Sequence, residues 1–454
     1  MLIASPCLIP GMARRRRRKL PVEPIEVEVS DLAHDGRGVG RIDGKAVFVH
    51  GALPEETVQA RLIDRSRRYD EAVTVEVLQP SVDRVEPECA WFDHCGGCAL
   101  QHLDSGAQRR WKHNRLVENL QRLGEVSPSR WLEPLAGEPW FYRRRARLSA
   151  RWVKGKGRVL VGFREPQGRF VADVGHCRIL HPRFSHLLEP LSELLGQLSV
   201  ADRVPQVEIA AGDDTGAMII RHMEPLSTED LSLLQAWSEE HAIAIYSQAK
   251  GPDTVARLMP DEHQLSYRIE AFDIELLFMP QQFVQVNAEI NVKLIEQAIE
   301  LLDLSGQERV LDLFCGLGNF SLPLARRAGQ VIGIEGLADL VASAQANARH
   351  NGIKNCQFEV ADLTEDVTQR PWYRAGFDAV MLDPPRSGAL EILPLVAACG
   401  AQRVVYVSCN PATLARDAAE LVHRYGFELK VAGIADMFPH TAHVESIALF
   451  ERAS

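Results

Sequence analysis

The feature that most constrains the fold of this 454-residue chain is a regular alternation of short apolar runs with helical patterns after Phe283. A helical pattern over Ala288–Leu302 leads into candidate strands at Arg309–Phe314, Val331–Glu335, Gln357–Val360, Ala379–Leu382 and Val404–Val407, with helical patterns between them. Two further candidate strands, Phe427–Val431 and Ser446–Phe450, close the chain. Parallel strands need long crossovers, usually helices, so this alternation predicts a doubly wound, mostly parallel sheet. Ligands of such sheets bind outside the carboxyl ends of the strands.

Most of the residues that suggest chemistry fall at those ends. The run Leu311-Asp312-Leu313-Phe314-Cys315-Gly316-Leu317-Gly318-Asn319-Phe320 carries a strand into a Gly-x-Gly turn, where a ligand can approach bare backbone. A tight loop alone would read the same way, and the third glycine of a pyrophosphate cradle is replaced by Ser321. Val331–Glu335 ends in a carboxylate suited to ribose hydroxyls, and Asp362, after the third strand, suits an adenine amino group. Together they fit S-adenosylmethionine better than NAD. Asp383-Pro384-Pro385-Arg386 puts an acid and a rigid turn at the fourth strand's end. At the fifth, Ser408-Cys409-Asn410-Pro411 sets a cysteine where a helix begins, with Asn410 a natural N-cap and Pro411 suited to the first turn. A thiol at the positive end of a helix is expected to fall below its free pKa of roughly 8.5 and act as a nucleophile. Position alone leaves an inert core cysteine equally open.

The N-terminal part is built differently. At 454 residues the whole chain allows about three domains of roughly 150 residues each. Apolar residues make up 46% of the chain and charged residues 25%, ordinary for a soluble globular protein, and no apolar run approaches the ~20 residues of a membrane span. A cytoplasmic protein is expected, and nine mostly clustered cysteines then point to metal or catalysis rather than disulfides. Arg14–Lys19 is an unbroken basic run, read as a solvated, disordered tail over residues 1–20. From Ile25 to Leu78 short alternating strands, among them Val73, Val75 and Val77, are punctuated by Gly36, Gly38, Gly40 and Gly44. That pattern predicts a small OB-like barrel. It resembles a TRAM domain, a module of RNA-modifying enzymes.

After a Pro80–Pro87 linker comes Cys89-Ala-Trp-Phe-Asp-His-Cys95-Gly-Gly-Cys98, a C-x5-C-x2-C run, with Cys177 the candidate fourth thiol. Structural zinc usually takes two separated close pairs, whereas three close cysteines and a remote one fit a [4Fe–4S] cluster better. Between Trp140 and Phe170 there are ten basic residues and one acid, Glu165, with aromatic residues interleaved. In a chain of net charge −10 this favours an RNA-facing surface, with arginines on phosphates and aromatic rings under unpaired bases. Pro205–Glu270 reads as mixed α+β without a chemical motif.

Read in order, Phe283-Val284-Gln285-Val286-Asn287, the Asp312–Phe320 run, Asp383-Pro-Pro-Arg386, Ser408-Cys409-Asn-Pro411 and the closing Asp436-Met-Phe-Pro-His440-Thr-x-His443-Val-Glu445 resemble the RNA uracil-5-methyltransferase family along nearly the whole chain. A barrel and a cysteine cluster together resemble its iron–sulfur branch, which acts on the uracil called 1939 in 23S rRNA. The resemblance implies an α/β chain in which a TRAM barrel (21–80), a central α+β iron–sulfur and RNA-binding domain (81–275) and a Rossmann-like S-adenosylmethionine-dependent methyltransferase domain (276–454) follow one another. It implies Cys409 as nucleophile and Glu445 as base, with Gln285, Phe314, Asn319, Glu335, Asp362 and Asp383 at the cofactor. Cys89, Cys95, Cys98 and Cys177 would hold a [4Fe–4S] cluster. The implied partner is 23S rRNA, bound by a monomer without an obligatory protein partner. Other classes stay in view: a uracil-5-methyltransferase of another rRNA or tRNA position, an exocyclic-amine methyltransferase using Asp383-Pro-Pro, and a non-catalytic RNA-binding iron–sulfur protein. Amine enzymes favour an aromatic residue where Arg386 stands, and cytosine-5 enzymes a cysteine beside the prolines, which is missing.

Overall fold

The computed structural model describes residues 20–21, 23–166 and 168–453; the basic run Arg14–Lys19 lies outside the described residues. The chain divides into two compact units at Arg84/Val85. In the first, β1 (Ile25–Leu32), β2 (Gly38–Ile42), β3 (Lys45–His50), β4 (Thr57–Arg65) and β5 (Tyr69–Gln79) close into a barrel in the order β1-β2-β3-β5-β4. Val27, Val29, Val47, Val49, Val58 and Ala60 fill it. Gly40 is required for closure, because a Cβ there would lie 2.4 Å from Val27 Cγ1. The alternation read at Val73, Val75 and Val77 holds only in part, since Val77 packs against the core while Val75 faces outward. Irregularities in the β4–β5 register turn Asp70 and Ala72 inward and leave Val75 56% exposed. Buried Glu56 takes Arg84 at 2.5 Å and latches the end of the unit.

The second unit begins with the cysteine-bearing segment and α1 (Ser105–Arg122), capped by Asp104, whose side chain accepts from the Ala107 N–H. A two-residue strand β6 (Arg130–Trp131) follows. β7 (Arg145–Val153) and β8 (Arg158–Gly162) form the hairpin expected around Gly155–Gly157, and Gly157 supplies the left-handed residue the turn needs (φ +65°). Two helices, α2 (Pro182–Ser185) and α3 (Leu188–Gln197), precede β9 (Gln206–Ala211), β10 (Gly216–Arg221), α4 (Thr228–His241), β11 (Ile243–Gln248) and β12 (Val255–Met259). These strands make a six-stranded sheet, β12-β11-β10-β9-β7-β8, which gives the motif-free Pro205–Glu270 region its architecture. Leu188, Leu191, Leu195 and Trp237 of α3 and α4 pack in one core with Val207, Ile209 and Ile245 of the sheet.

A hairpin of β13 (Leu265–Ile269) and β14 (Ile274–Phe278) leads to α5 (Ala288–Leu302), capped by Asn287. The remaining elements are β15 (Arg309–Leu313), α6 (Ser321–Ala325), β16 (Gln330–Glu335), α7 (Ala338–His350), β17 (Cys356–Val360), α8 (Pro371–Arg374), β18 (Ala379–Leu382), α9 (Leu393–Ala398), β19 (Arg403–Ser408), α10 (Pro411–His423), β20 (Phe427–Ala435) and β21 (Glu445–Arg452). They form an eight-stranded sheet in the order β17-β16-β15-β18-β19-β21-β20-β6. Strands β17 to β19 are parallel, and β21 runs against its neighbours on both sides. Every strand expected from the sequence is present, within a few residues at its ends. The sheet's last strand was not expected, since β6 comes from the middle of the chain and pairs with Val431 and Ala432 of β20. Chain order reverses between β15 and β18, so the crevice for a ligand opens at their carboxyl ends.

Candidate active site and four-cysteine pocket

Asn410 caps α10 as its side chain predicts, accepting from the Ala412 N–H at 3.2 Å, and Pro411 occupies the first turn. Cys409 therefore stands half-buried between the end of β19 and the start of α10. Strands β19 and β21 are antiparallel with Ser408 opposite Ser446, and one further step in that register sets Cys409 against Glu445. Residues facing each other this way have Cβ atoms roughly 5 Å apart. Glu445 is 4% exposed. Its burial, with the charge of Asp383 nearby, holds its carboxyl well above the usual range, while the Arg386 guanidinium pulls it back. Asp383, at the end of β18, is pushed up to about 7 by loss of water around its carboxyl.

These groups act together on Cys409. Burial raises its thiol, the Glu445 and Asp383 charges raise it further, and Arg386 opposes them by charge and hydrogen bond. The thiol thus lies above its ordinary value, not below it as the helix terminus alone suggests, because two acids and desolvation outweigh one helix end and one guanidinium. Arg386 Nη2 lies 3.0 Å from His443 Nδ1, and the Arg386 carbonyl accepts from Asn410 Nδ2 at 3.2 Å. The Asp-Pro-Pro-Arg turn is thereby tied to the cysteine's helix. In the sequence Arg386 stands out as the end of the Asp-Pro-Pro-Arg run and as a poor fit to an amine-binding site, not as a neighbour of the cysteine. Its partners lie far along the chain, and no local pattern exposes its role.

The other expected positions ring the carboxyl ends of β15 to β17. Phe314 ends its strand with φ +65°, swinging the chain into the Gly-x-Gly turn. The Glu335 carboxylate accepts from the Gly316, Gly336 and Leu337 N–H groups at 3.2, 2.8 and 3.1 Å, so it is fixed beside that turn. Asn319 Oδ1 accepts from Tyr267 Oη and Asn291 Nδ2, both at 2.9 Å, a network no motif announced. Asp362 stands exposed, one oxygen turned to the Thr364 N–H and hydroxyl, which hold its carboxyl below the usual range. Gln285 is half-buried just ahead of α5, and Phe283 beside it is 66% exposed. Below the turn, buried Asp312 bonds Ser321 Oγ; burial and the charges of Asp383 and Glu335 push it up to about 7.

Cys89, Cys95, Cys98 and Cys177 line a single pocket with Trp140 and Phe163. The Cys95 N–H donates to the Trp91 carbonyl at 2.8 Å, the Cys177 N–H to the Ser185 carbonyl at 2.9 Å, and the Cys89 N–H to Gln101 Oε1 at 3.3 Å. Both glycines of the cysteine run meet close neighbours. A Cβ on Gly96 would lie 2.7 Å from the Arg164 carbonyl, and one on Gly97 2.8 Å from the Phe163 ring. Burial first, then neighbouring thiolates, push Cys98 up to about 12 and Cys177 up to about 11. Four half-buried sulfurs around one pocket, three of them (Cys95, Cys98 and Cys177) raised above the ordinary thiol range by burial, are a donor set for a strongly cationic group. Among the described residues no three such side chains close on one ion position.

The basic stretch splits in two. Arg144 pairs with Asp213 at 2.5 Å, Arg145 with Glu208 and the Gln281 and Gln282 carbonyls, and Arg143 lies over Phe163. Trp140 stacks on His440, and the Tyr142 hydroxyl donates to the Pro439 carbonyl. These residues bind the protein's own interior, contrary to the RNA-facing role expected for them. Arg147 is exposed while sharing Glu208 at 3.0 Å, and Arg151, Lys154, Lys156, Arg164, Arg169, Trp152 and Phe170 are exposed as well.

A crevice at the strand-order switch, a Gly-x-Gly turn tied to a carboxylate at the next strand's end, and an antiparallel closing strand define a Rossmann-like, S-adenosylmethionine-dependent methyltransferase fold behind an N-terminal barrel. Residues 233–453 match the tRNA (Uracil-5-)-methyltransferase family and residues 18–75 the TRAM domain. The chain is 50% identical to the 23S rRNA (uracil(1939)-C(5))-methyltransferase RlmD of Alkalilimnicola ehrlichii, over 96% of this chain and 99% of that one. It is 48% identical to the protein of the same name from Nitrosococcus oceani, over 96% and 98%. A solved structure, the tRNA (uracil-54, C5)-methyltransferase of Pyrococcus abyssi in complex with S-adenosyl-L-homocysteine, shares the fold with a TM-score of 0.72 at 24% identity, over 94% of this chain and 99% of that one. The chain belongs to the RNA uracil-5-methyltransferase family, among relatives of the RlmD type. No helix among its described residues is long and apolar enough to cross a membrane.

Proposed function

We propose that this protein methylates C5 of uracil 1939 in 23S rRNA, with S-adenosylmethionine as donor. The observation that carries this reading is the meeting of Cys409 and buried Glu445 at the end of the sheet, with Asp383 and Arg386 around them, in a chain half identical to relatives of that name. C5 of uracil is too weak a nucleophile to take a methyl group unaided. As a thiolate, Cys409 adds to C6, and the ring electrons move to give an enolate reactive at C5. Bound S-adenosylmethionine supplies an electrophilic methyl group on its sulfonium. Glu335 is suited to the ribose hydroxyls and Asp362 to the adenine amino group, with Gln285, Phe314, Asn319 and Asp383 completing that site. After C5 has taken the methyl group, Glu445 removes the C5 proton; the C–H electrons restore the C5–C6 double bond and the Cys409 sulfur leaves. The base must leave its stack to reach Cys409, and exposed Phe283 offers a ring face near Gln285.

Cys89, Cys95, Cys98 and Cys177 are assigned to a [4Fe–4S] cluster. Support comes from four thiols around one pocket and a spacing of three close cysteines plus one remote, which is unusual for zinc. These four thiols would hold the cluster as thiolates, and its irons would supply the positive charge that lets them sit together. RNA binding is assigned to the 21–80 barrel and the exposed arginines of the 81–275 region, and methyl transfer to 276–454.

Labelled S-adenosylmethionine tests the function. A 23S rRNA fragment spanning position 1939 should take up about one methyl group per molecule, and the same fragment with cytosine at that position none. Equal labelling of both fragments, or preference for tRNA, would contradict the assignment.

A further inference from the structure

Glu445 opens β21 and pairs with Ala435, the last residue of β20, so the 436–444 connection between these strands fixes where its carboxylate points. That connection is anchored from one side by the segment that begins at the cysteine pocket. Lys112, fully buried on α1, donates to Asp436 Oδ1 at 2.7 Å and to the Phe438 carbonyl at 2.9 Å. The tightest anchoring is at His440. This residue is 4% exposed and in the left-handed region (φ +64°), a conformation that a bulky residue keeps only when its surroundings enforce it. Its carbonyl accepts from the Ala99 and Leu100 N–H groups at 2.8 and 3.0 Å. Its own N–H donates to Gln108 Oε1 at 2.9 Å, and Gln108 Nε2 in turn donates to the Leu100 and Leu103 carbonyls. The ring stacks on Trp140, with centroids 4.0 Å apart.

Two of these contacts, those of Ala99 and Trp140, lead back to the cysteines. Ala99 follows Cys98. Trp140 lines the cysteine pocket, bonds Glu88 (which precedes Cys89) through its indole N–H, and lies under Arg178 (which follows Cys177) at 4.7 Å. Arg178 and Glu88 are themselves paired at 2.7 Å. Sequence neighbours of three of the four thiols thus build one clamp around His440.

We infer that His440 is a positioning residue for removal of the C5 proton, and that the four-cysteine pocket, through this clamp, sets the geometry of Glu445. The inference rests on the C5-methylation reading. It gives the pocket's metal group a structural part in the last step of the reaction: when the pocket is filled, the clamp is closed and the base is aimed. Loosening the clamp leaves the cofactor residues in place and reaches Cys409 only at second hand, through the His443–Arg386 contact and the charge of Glu445, so the addition to C6 changes far less than the last step. The proton transfer from C5 to Glu445, with re-formation of C5=C6 and loss of the C6–S bond, becomes slow.

The test uses the full-length protein with RNA and labelled S-adenosylmethionine. His440→Asn suits the positive φ and keeps the backbone bonds while losing the stacked ring; Trp140→Leu removes the other ring, and Trp140→Phe restores an aromatic face. In His440→Asn and Trp140→Leu, single-turnover methyl transfer should stay within about threefold of the unaltered protein while release slows about 10–100-fold, as small misplacements do, leaving a methylated adduct that survives denaturation. Trp140→Phe should largely abolish that adduct. A separate readout concerns the pocket: in Cys98→Ser, or after chelation of the unaltered protein, amide exchange over 436–444 should accelerate while β9 and β10 keep their protection. Equal loss of transfer and release, no adduct with normal turnover, or unchanged exchange over 436–444 after iron is lost would each overturn the inference, as would acceleration spread evenly over the whole chain. If the unaltered protein transfers no methyl group, the function itself fails first, visibly and in its own lane.

Discussion

Cys409 sits between opposing influences, and the balance sets how it works. Burial and the charges of Glu445 and Asp383 raise its thiol, and Arg386 lowers it. A raised thiol is mostly protonated at neutral pH, so the rate of adduct formation should climb with pH, about tenfold per unit, until the thiol titrates. The limb rises toward alkaline pH because the reactive form is the deprotonated one. Arg386→Leu removes the opposing cation and should displace the limb to still higher pH, read from adduct formation on 5-fluorouracil RNA at several pH values. A limb displaced to lower pH would contradict this role. Glu445→Gln keeps the shape and loses the base, so methyl transfer should proceed to a covalent complex that is not released; normal turnover by this variant would remove Glu445 from the mechanism. The helix start at Cys409 was legible in the sequence, because an N-cap asparagine and a first-turn proline are local chemistry. The direction of the thiol's shift was not, because the acids that raise it arrive from positions 383 and 445.

Among the elements, the strands of the eight-stranded sheet were legible because buried parallel strands read as apolar runs between helical patterns. Strand β6 was not, since two residues carry no period and its partner strand lies some three hundred positions on. The basic stretch shows the same limit. Sequence counts its arginines but cannot tell which face a partner, and Glu208 and Asp213 lie more than 60 residues from the arginines they hold. Neutralising Arg147 and Arg151, both exposed on β7, should therefore reduce the salt dependence of RNA binding by about one unit of slope per lost phosphate contact. Neutralising Arg144 should instead lower stability and leave the slope in place. An unchanged slope for the first pair would mean that β7 does not face RNA. On α1, Lys112 and Asp436 form a pair buried at both ends. Lys112→Ala strands a buried carboxylate and should cost about 3–5 kcal/mol in denaturant unfolding; a loss below about 1 kcal/mol, the level of an exposed pair, would contradict that account.

For the whole molecule, three features lie in the second unit: a crevice at the strand-order switch, a thiol and an acid at the neighbouring strand ends, and a thiol-lined pocket built from residues far apart in sequence. Protein purified without oxygen should be brown and carry about four irons per chain if the pocket holds a [4Fe–4S] cluster. One tightly bound zinc and no iron would contradict it. The cysteine spacing made this pocket legible, but its connection to Glu445 through His440 was not, because it runs through backbone amides, a stacked ring and a left-handed turn that leave no pattern in sequence. The central claim is that Cys409 bonds to C6 of the target uracil. The most direct measurement is a denaturing gel of the protein mixed with S-adenosylmethionine and 23S rRNA fragment carrying 5-fluorouracil at position 1939, where fluorine cannot leave as a proton does. The account expects a methylated protein–RNA band that survives denaturation with the unaltered protein and is missing with Cys409→Ala. No band from the unaltered protein, or the same band from Cys409→Ala, would contradict it.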